Sequence, residues 1–201
     1  MLGFCVFSGQ AQEDLRINQL QFVGSHNSYK LKMNPVVFVA LSALDSKIAQ
    51  SLDYSHIPID AQLDLGLRKL ELDVFFDAKS NTLEVGHVQL IDMKSSCSVL
   101  RECFKVLLDW SASNAEHVPI WISFNAKDQK IDGLPDPDVF SDQAFRLLDR
   151  RIEEAFEEKL IWPRDVDELN WPSVDDARGK FIFVLDGGGD KRPVSYTHLR
   201  A

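Results

Sequence analysis

His26 and His87 each stand where a strand-like apolar run gives out, and between them Glu71 and Asp73 alternate along a third run. In Lys69-Leu70-Glu71-Leu72-Asp73-Val74 a period of two puts both carboxylates on one face and Leu70, Leu72 and Val74 on the other. With the aliphatic face packed on helices, the carboxylates point into the protein, where two unpaired anions are very costly. A hard cation removes that cost, and calcium takes about six to eight oxygen ligands. Asn27, Glu71, Asp73 and either Asn125 or Asp128 offer such oxygens, with phosphate and water completing the set. The plainer alternative for an isolated Glu-x-Asp is an edge strand with one wet face. Histidines at the ends of the neighbouring runs favour a site.

Two histidines beside a cation suit cleavage of a phosphodiester. The metal offsets charge on the phosphate and activates an attacking hydroxyl, while imidazoles handle protons and a phosphate oxygen. Nothing marks a serine or cysteine nucleophile: Ser25 and Ser28 lie near His26, but the sharp strand-to-helix serine elbow is missing. His56 and His117, each two residues before a proline, read as structural. Arg68 and Lys69 read either as phosphate contacts or as surface charge flanking a strand.

The elements that must position these groups follow in order. Strands are expected at Leu20–Val23, Lys69–Val74, Thr82–His87, Val118–Phe124 and Phe181–Leu185. Helices are expected at Pro35–Leu44, at Ile59–Leu67 with Pro58 opening it and Gly66 as a stop, at Val99–Trp110 with Ser98 as a cap, and at Ser141–Phe156. Trp162-Pro163 and Trp171-Pro172 mark loops, because the residue before proline is pushed away from helix. Strands alternating with helices give an α/β fold with a parallel sheet. Polar chemistry falling repeatedly at the carboxyl ends of strands suits a (β/α) TIM-type barrel.

A net charge of −9 over 201 residues argues against a nucleic-acid backbone held by global charge, and no local basic patch compensates, so no nucleic-acid partner is expected. No apolar run approaches the roughly 18 residues needed to span a bilayer. Residues 1–11 resemble the back half of a secretory signal, with cleavage after Ala11, although the basic leader is missing. A secreted or periplasmic location follows. Cys97 and Cys103, with five residues between them, read as a local disulfide in that setting; the alternative is two reduced thiols, one packed in a helix.

Several motifs together carry a family resemblance. Gly24 to Tyr29, Tyr54-Ser55-His56-x-Pro58, Gln62-Leu63-Asp64-x-Gly66-x-Arg68, Leu70-Glu71-Leu72-Asp73, Gly86-His87, the Cys97/Cys103 pair, His117-Val118-Pro119-Ile120 and Asn125-Ala126-Lys127-Asp128 occur in register. The chain resembles the calcium-dependent phosphoinositide phospholipase C family, within the phospholipase C-like phosphodiesterase barrels, most clearly from about Leu20 to Asp128. The resemblance implies that His26 stabilises the phosphoryl group, that His87 protonates the departing lipid alcohol, and that Asn27, Glu71 and Asp73 hold Ca2+. It further implies attack by the inositol 2-hydroxyl within the substrate, giving a cyclic phosphodiester and diacylglycerol. Asn125 stands where eukaryotic relatives place a further glutamate ligand, which removes a charge and leaves Asp128 as the alternative ligand. The implied partner is a phospholipid or other phosphodiester, met in transient contact with a membrane surface.

Two rivals share these residues. A glycerophosphodiester phosphodiesterase would use the same barrel on a soluble substrate, but its first histidine is normally followed by Arg-Gly, and here Asn27-Ser28 follows. A noncatalytic calcium-binding barrel is the other. About five strands are expected up to Leu185, against eight in a closed barrel, so the barrel is expected to be truncated. Residues 12–190 would form its amino-terminal part, and 191–201 read as a tail of foreign origin.

Overall fold

The computed structural model describes residues 15–166 and 170–186, together with the backbone of 199–200. The expected leader, 1–11, lies outside the described residues, as does the 191–201 tail apart from 199–200. Five strands, β1 (Lys69–Asp77), β2 (Thr82–Val85), β3 (Ile120–Lys127), β4 (Phe181–Asp186) and β5 (Leu199–Arg200), form one sheet in the order β2-β1-β3-β4-β5. The helices are α1 (Pro35–Leu44), α2 (Ser46–Leu52), α3 (Ile59–Asp64), α4 (Leu100–Ser113) and α5 (Asp142–Phe156).

The β1–β3, β3–β4 and β4–β5 pairs are parallel, as expected, but β2 runs antiparallel to β1. The turn between them is too short for anything else, since a parallel return needs a crossover of a dozen or more residues. Asp77 shapes that turn by accepting hydrogen bonds from the Lys79 and Ser80 N–H groups, and Asn81 closes it at φ +52°.

Leu20–Val23 does not become a strand. Val23 is exposed, and the segment joins β1 through a single parallel bridge between Gly24 and Lys69. It still runs along the edge of β1: Ser25 N–H donates to the Lys69 carbonyl (3.1 Å) and Ser28 N–H to that of Glu71 (3.0 Å). Gly24 allows this approach, because a Cβ there would lie 2.7 Å from the Lys69 oxygen. Helix ends also differ from expectation, α4 running on to Ser113 rather than stopping at Trp110. The third helix stops at Asp64, three residues early, with Gly66 reversing the chain at φ +95°; α4 is preceded by Val99 rather than capped by Ser98. Glu102 accepts the Val99 N–H in its place.

Across β1, β3 and β4 one face of the sheet is apolar. Leu70, Leu72 and Val74 of β1, Ile120, Ile122 and Phe124 of β3, and Phe181 and Phe183 of β4 bury against Leu100, Phe104 and Leu107 of α4 and Phe145, Leu148, Ile152 and Phe156 of α5. Phe104 meets Phe156 edge-on at 5.0 Å, a favoured aromatic geometry. The opposite face changes character along the strands. At their amino ends Trp121, Ile182 and Val184 pack with Ile17, Ile161 and Ala177. At their carboxyl ends the same face carries Glu71, Asp73, Ser123, Asn125 and Asp186. The register makes this a row: Asp73 is the Cα partner of Asn125, and Asn125 of Asp186.

Candidate active site

The polar row at the carboxyl end of β1 is completed by the turn that carries His26 and Asn27. A buried network fixes that turn. Ser25 Oγ donates to Gln62 Oε1 (2.6 Å), and Gln62 Nε2 donates to the Ser28 carbonyl (2.7 Å) and the Ile57 carbonyl (2.7 Å). Ser28 Oγ accepts the Glu71 N–H at 2.8 Å, so turn and strand are locked together beside the first carboxylate. His56 braces the other side, its Nε2 lying 2.8 Å from the His26 carbonyl. Asn27 holds φ +50°, a conformation asparagine tolerates better than most residues, and is 1% exposed.

Around Asn27 the polar groups converge. Its Nδ2 donates to the Tyr54 hydroxyl (2.7 Å), and its Oδ1 accepts a long bond from Tyr29 Oη (3.4 Å). Burial, reinforced by the negative charge of Asp73, pushes the Tyr29 phenol upward, so it stays neutral and can only donate to the anions around it. Tyr54 is raised too, chiefly by burial.

Each carboxylate has a cation at hand. Lys127 Nζ lies 3.1 Å from Asp73 Oδ2, and Lys69 Nζ lies 3.2 Å from Glu71 Oε2. His26 is exposed at the rim, with Nε2 3.7 Å from Glu71 Oε1. His87 is partly buried and held by Asp92, whose Oδ2 lies 3.2 Å from its Nδ1.

The residues fit a hard cation. Asn27, Glu71, Asp73 and Asn125 offer only oxygen ligands of the kind calcium takes. Asp73 Oδ1 is buried and meets no donor at full hydrogen-bond geometry, although the Tyr29 hydroxyl interacts with this carboxylate; a bound cation would remove the remaining cost. Among the described residues no group of three or more His, Cys, Asp and Glu is set at metal-binding spacing; two of the four proposed ligands here are asparagines. Asn125 stands beside Asp73 in register, whereas Asp128 lies past the end of β3 and accepts the Phe140 N–H at 3.1 Å, folding the loop that leads to α5.

Of the two candidate phosphate contacts, only Lys69 is in the site. Arg68 points away, donating to the Leu63 and Leu67 carbonyls and stacking over Trp110 at 5.0 Å. His117 lies apart from the site, with Nδ1 against the Val118 carbonyl (2.7 Å) and Nε2 against Ser111 Oγ (2.9 Å). Sequence reasoning gave no role to Lys127, Lys30, Asp92, Tyr29 or Tyr54, although Tyr29, Tyr54 and Lys127 stand in the motifs that carry the resemblance. Lys127 was the most accessible of these, because it continues the alternation of Ser123 and Asn125 on β3. The Cys97–Cys103 disulfide is formed.

A model of the family described as phosphoinositide phospholipase C, Ca2+-dependent, matches residues 15–82 and 78–201. Among solved structures, a calcium-dependent phosphoinositol-specific phospholipase C from a Gram-negative bacterium, Pseudomonas sp, in apo form, is similar at 20% identity and TM-score 0.54, over 86% of this chain and 58% of that one. A Ca2+-dependent phosphatidylinositol-specific phospholipase C from Streptomyces antibioticus is similar at 21% identity and TM-score 0.55, over 86% and 54%. The phosphatidylinositol-specific enzyme of Listeria monocytogenes aligns at 13% identity and TM-score 0.56, over 87% and 53%. The chain thus spans little more than half the length of these structures, and at such identities they establish a shared mixed α/β fold. Among curated proteins no sequence match is found. The family match runs over nearly the whole chain, and the chain belongs to the calcium-dependent phosphoinositide phospholipase C family.

Proposed function

We propose that the chain carries the catalytic face of a Ca2+-dependent phosphoric diester hydrolase that cleaves a phosphoinositide lipid to diacylglycerol and a cyclic inositol phosphate. The observation that carries this reading is the buried carboxylate of Asp73, in register with Asn125 and beside the Asn27 turn. Bound calcium, held by Asn27, Glu71, Asp73 and Asn125, would offset phosphate charge and ease ionisation of the attacking hydroxyl.

The chain's own groups do the rest. His26, exposed at the rim, donates to a phosphoryl oxygen. The inositol 2-hydroxyl forms the new O–P bond, and its proton passes to the Glu71 carboxylate beside His26. As the bond from phosphorus to the glycerol oxygen breaks, His87 gives that oxygen a proton. Lys69 and Lys127 add positive charge where the phosphate sits.

A lipid substrate also requires a way onto its surface, and α1 offers one. Its ten residues, Pro-Val-Val-Phe-Val-Ala-Leu-Ser-Ala-Leu, carry no charge and none is buried; Val36, Val39 and Leu44 are 77%, 67% and 86% exposed. Exposed apolar surface of this kind suits an interface with lipid. The helix borders an open pocket of about 580 Å3 that Val37, Leu90 and Asp92 line, and Asp92 is the residue that holds His87. The Cys97–Cys103 disulfide supports a secreted or periplasmic setting.

Hydrolysis of a panel of phosphodiesters, with calcium and with chelator, tests the proposal. Turnover of phosphatidylinositol vesicles that requires calcium is expected. Preference for soluble glycerophosphodiesters, or calcium binding without hydrolysis of any substrate, would replace the reading with one of its two rivals.

A further inference from the structure

Lys30 and Asp92 form an ion pair at 2.8 Å in which neither side chain is exposed. Stability alone does not account for such a pair, because a well-packed apolar replacement is often as good or better. Its bonds are directed, however. The Lys30 ammonium donates to Asp92 Oδ1 (3.0 Å) and to the carbonyls of Leu31 (3.3 Å) and Tyr54 (3.4 Å), and lies 4.6 Å from the centre of the Tyr54 ring. Asp92 Oδ2 then faces His87 Nδ1 at 3.2 Å. The ammonium straddles the carboxylate, 2.8 Å from Oδ2 and 3.0 Å from Oδ1, and the fixed Oδ2 also meets the imidazole.

The backbone reinforces the arrangement. The Asp92 carbonyl accepts the N–H groups of His87 (3.0 Å) and Val88 (3.2 Å), which closes the 87–92 turn. Leu31 N–H donates to the Lys94 carbonyl (3.1 Å), and Lys30 bridges to Ser95, so the segment after Asn27 is laced to the segment after Asp92.

We propose that Asp92 is a positioning residue for His87, and that Lys30 is the clamp that holds Asp92, the buried pair tying the turn of His26 and Asn27 to the turn of His87. The proposal rests on the phosphodiesterase reading above for its chemistry. An ionised carboxylate only accepts, so Nδ1 of His87 carries a hydrogen and the ring is held in one orientation with Nε2 turned away from Asp92. The catalytic proton is the one on Nε2. When the phosphorus–oxygen bond to the lipid alcohol breaks, that proton moves to the alcohol oxygen, and the ring remains as the neutral Nδ1–H tautomer bonded to Asp92.

Nitrogen-15 NMR of the histidine-labelled chain reads the arrangement without needing turnover. At about pH 9, where an ordinary imidazole is neutral, His87 is expected as the Nδ1–H tautomer. Asp92→Asn should shift it toward Nε2–H. The paired variant Lys30→Met with Asp92→Asn removes the ion pair without stranding a buried charge, so it keeps the test open if Asp92→Asn alone fails to fold. In the calcium-loaded chain, Asp92→Asn should lower turnover of the lipid about 10²-fold, within the usual range for acid–base groups. With an inositol phosphodiester bearing an activated leaving group, the loss should be under about 5-fold, because little protonation is then needed. A wild-type His87 found as Nε2–H, or equal losses on both substrates, would overturn the proposal. A chain that hydrolyses neither substrate would reject the phosphodiesterase reading and leave the tautomer to decide the role of Asp92.

Discussion

Replacing Asp73 by Asn should cost the chain most of its calcium-dependent stabilisation. Asp73 is 1% exposed, its Oδ1 meets no donor at full hydrogen-bond geometry, and its Oδ2 meets Lys127 Nζ at 3.1 Å. Without metal, the substitution gives up a charge-assisted bond worth about 1.5–3 kcal/mol, and the amide NH2 it introduces needs an acceptor where the oxygen it replaces needed a donor. Lys127, with 24% of its side chain exposed, can turn to water. The melting temperature in chelator should therefore fall, by no more than roughly 12 °C. With calcium at about 100 times its dissociation constant, the unmutated chain should gain about 2.7 kcal/mol. For a chain of this length that is a rise of roughly 5–11 °C. Asp73→Asn should lose most of that rise, because it removes one of only two charged ligands. Differential scanning calorimetry in calcium and in chelator measures both effects. An unmutated chain that calcium does not stabilise, or an Asp73→Asn chain that keeps the full rise, would refute the assignment.

Other perturbations separate catalysis from scaffold. His26→Ala and His87→Ala should each lower turnover on the order of 10² to 10⁴-fold, and an activated leaving group should rescue the His87 variant, as steady-state kinetics would show. Gly24→Ala should destabilise the chain by about 1–3 kcal/mol in urea titration, since the new methyl would meet Lys69 backbone and side-chain atoms at 2.7 and 2.8 Å. Burial holds the His117 imidazole below the ordinary histidine range. The unfolded chain therefore protonates there first, so the associated stability is present above about pH 6.5 and is lost as the pH falls toward the folded value. His117→Gln should flatten that part of the urea-midpoint profile. Val36→Glu with Val39→Glu should weaken vesicle binding in a flotation assay while leaving the melting temperature within a few degrees, because both side chains lie outside the core.

What could be read from the sequence was what periodicity and punctuation encode locally. The alternation in Lys69–Val74 placed Glu71 and Asp73 on one face, and the β1–β3 register bears that out by setting Asp73 beside Asn125. The helical stripes of α4 and α5 were similarly plain, because their apolar positions all face one core. Leu20–Val23 misled because four apolar residues carry strand propensity but do not say whether a partner runs alongside for long enough; only Gly24 makes the bridge. The direction of β2 was implicit in the brevity of the turn before it, yet strand propensity alone does not distinguish a hairpin from a crossover. Lys30 and Asp92 were hidden for a different reason. They are 62 positions apart, and a lone lysine or aspartate in a loop reads as solvated charge until the fold buries both. The exposure of α1 was equally illegible, because an uncharged apolar helix normally belongs to a core.

In the proposed reaction a hydroxyl of the substrate itself, rather than water, attacks phosphorus beside Asn27, Glu71, Asp73 and Asn125. Phosphorus-31 NMR of the first water-soluble product, formed from phosphatidylinositol vesicles in calcium and oxygen-18 water, tests it most directly. The account predicts a cyclic inositol phosphodiester without oxygen-18, formed only when calcium is present. An acyclic phosphate ester carrying oxygen-18 from the earliest time point, or equal turnover in chelator, would contradict it.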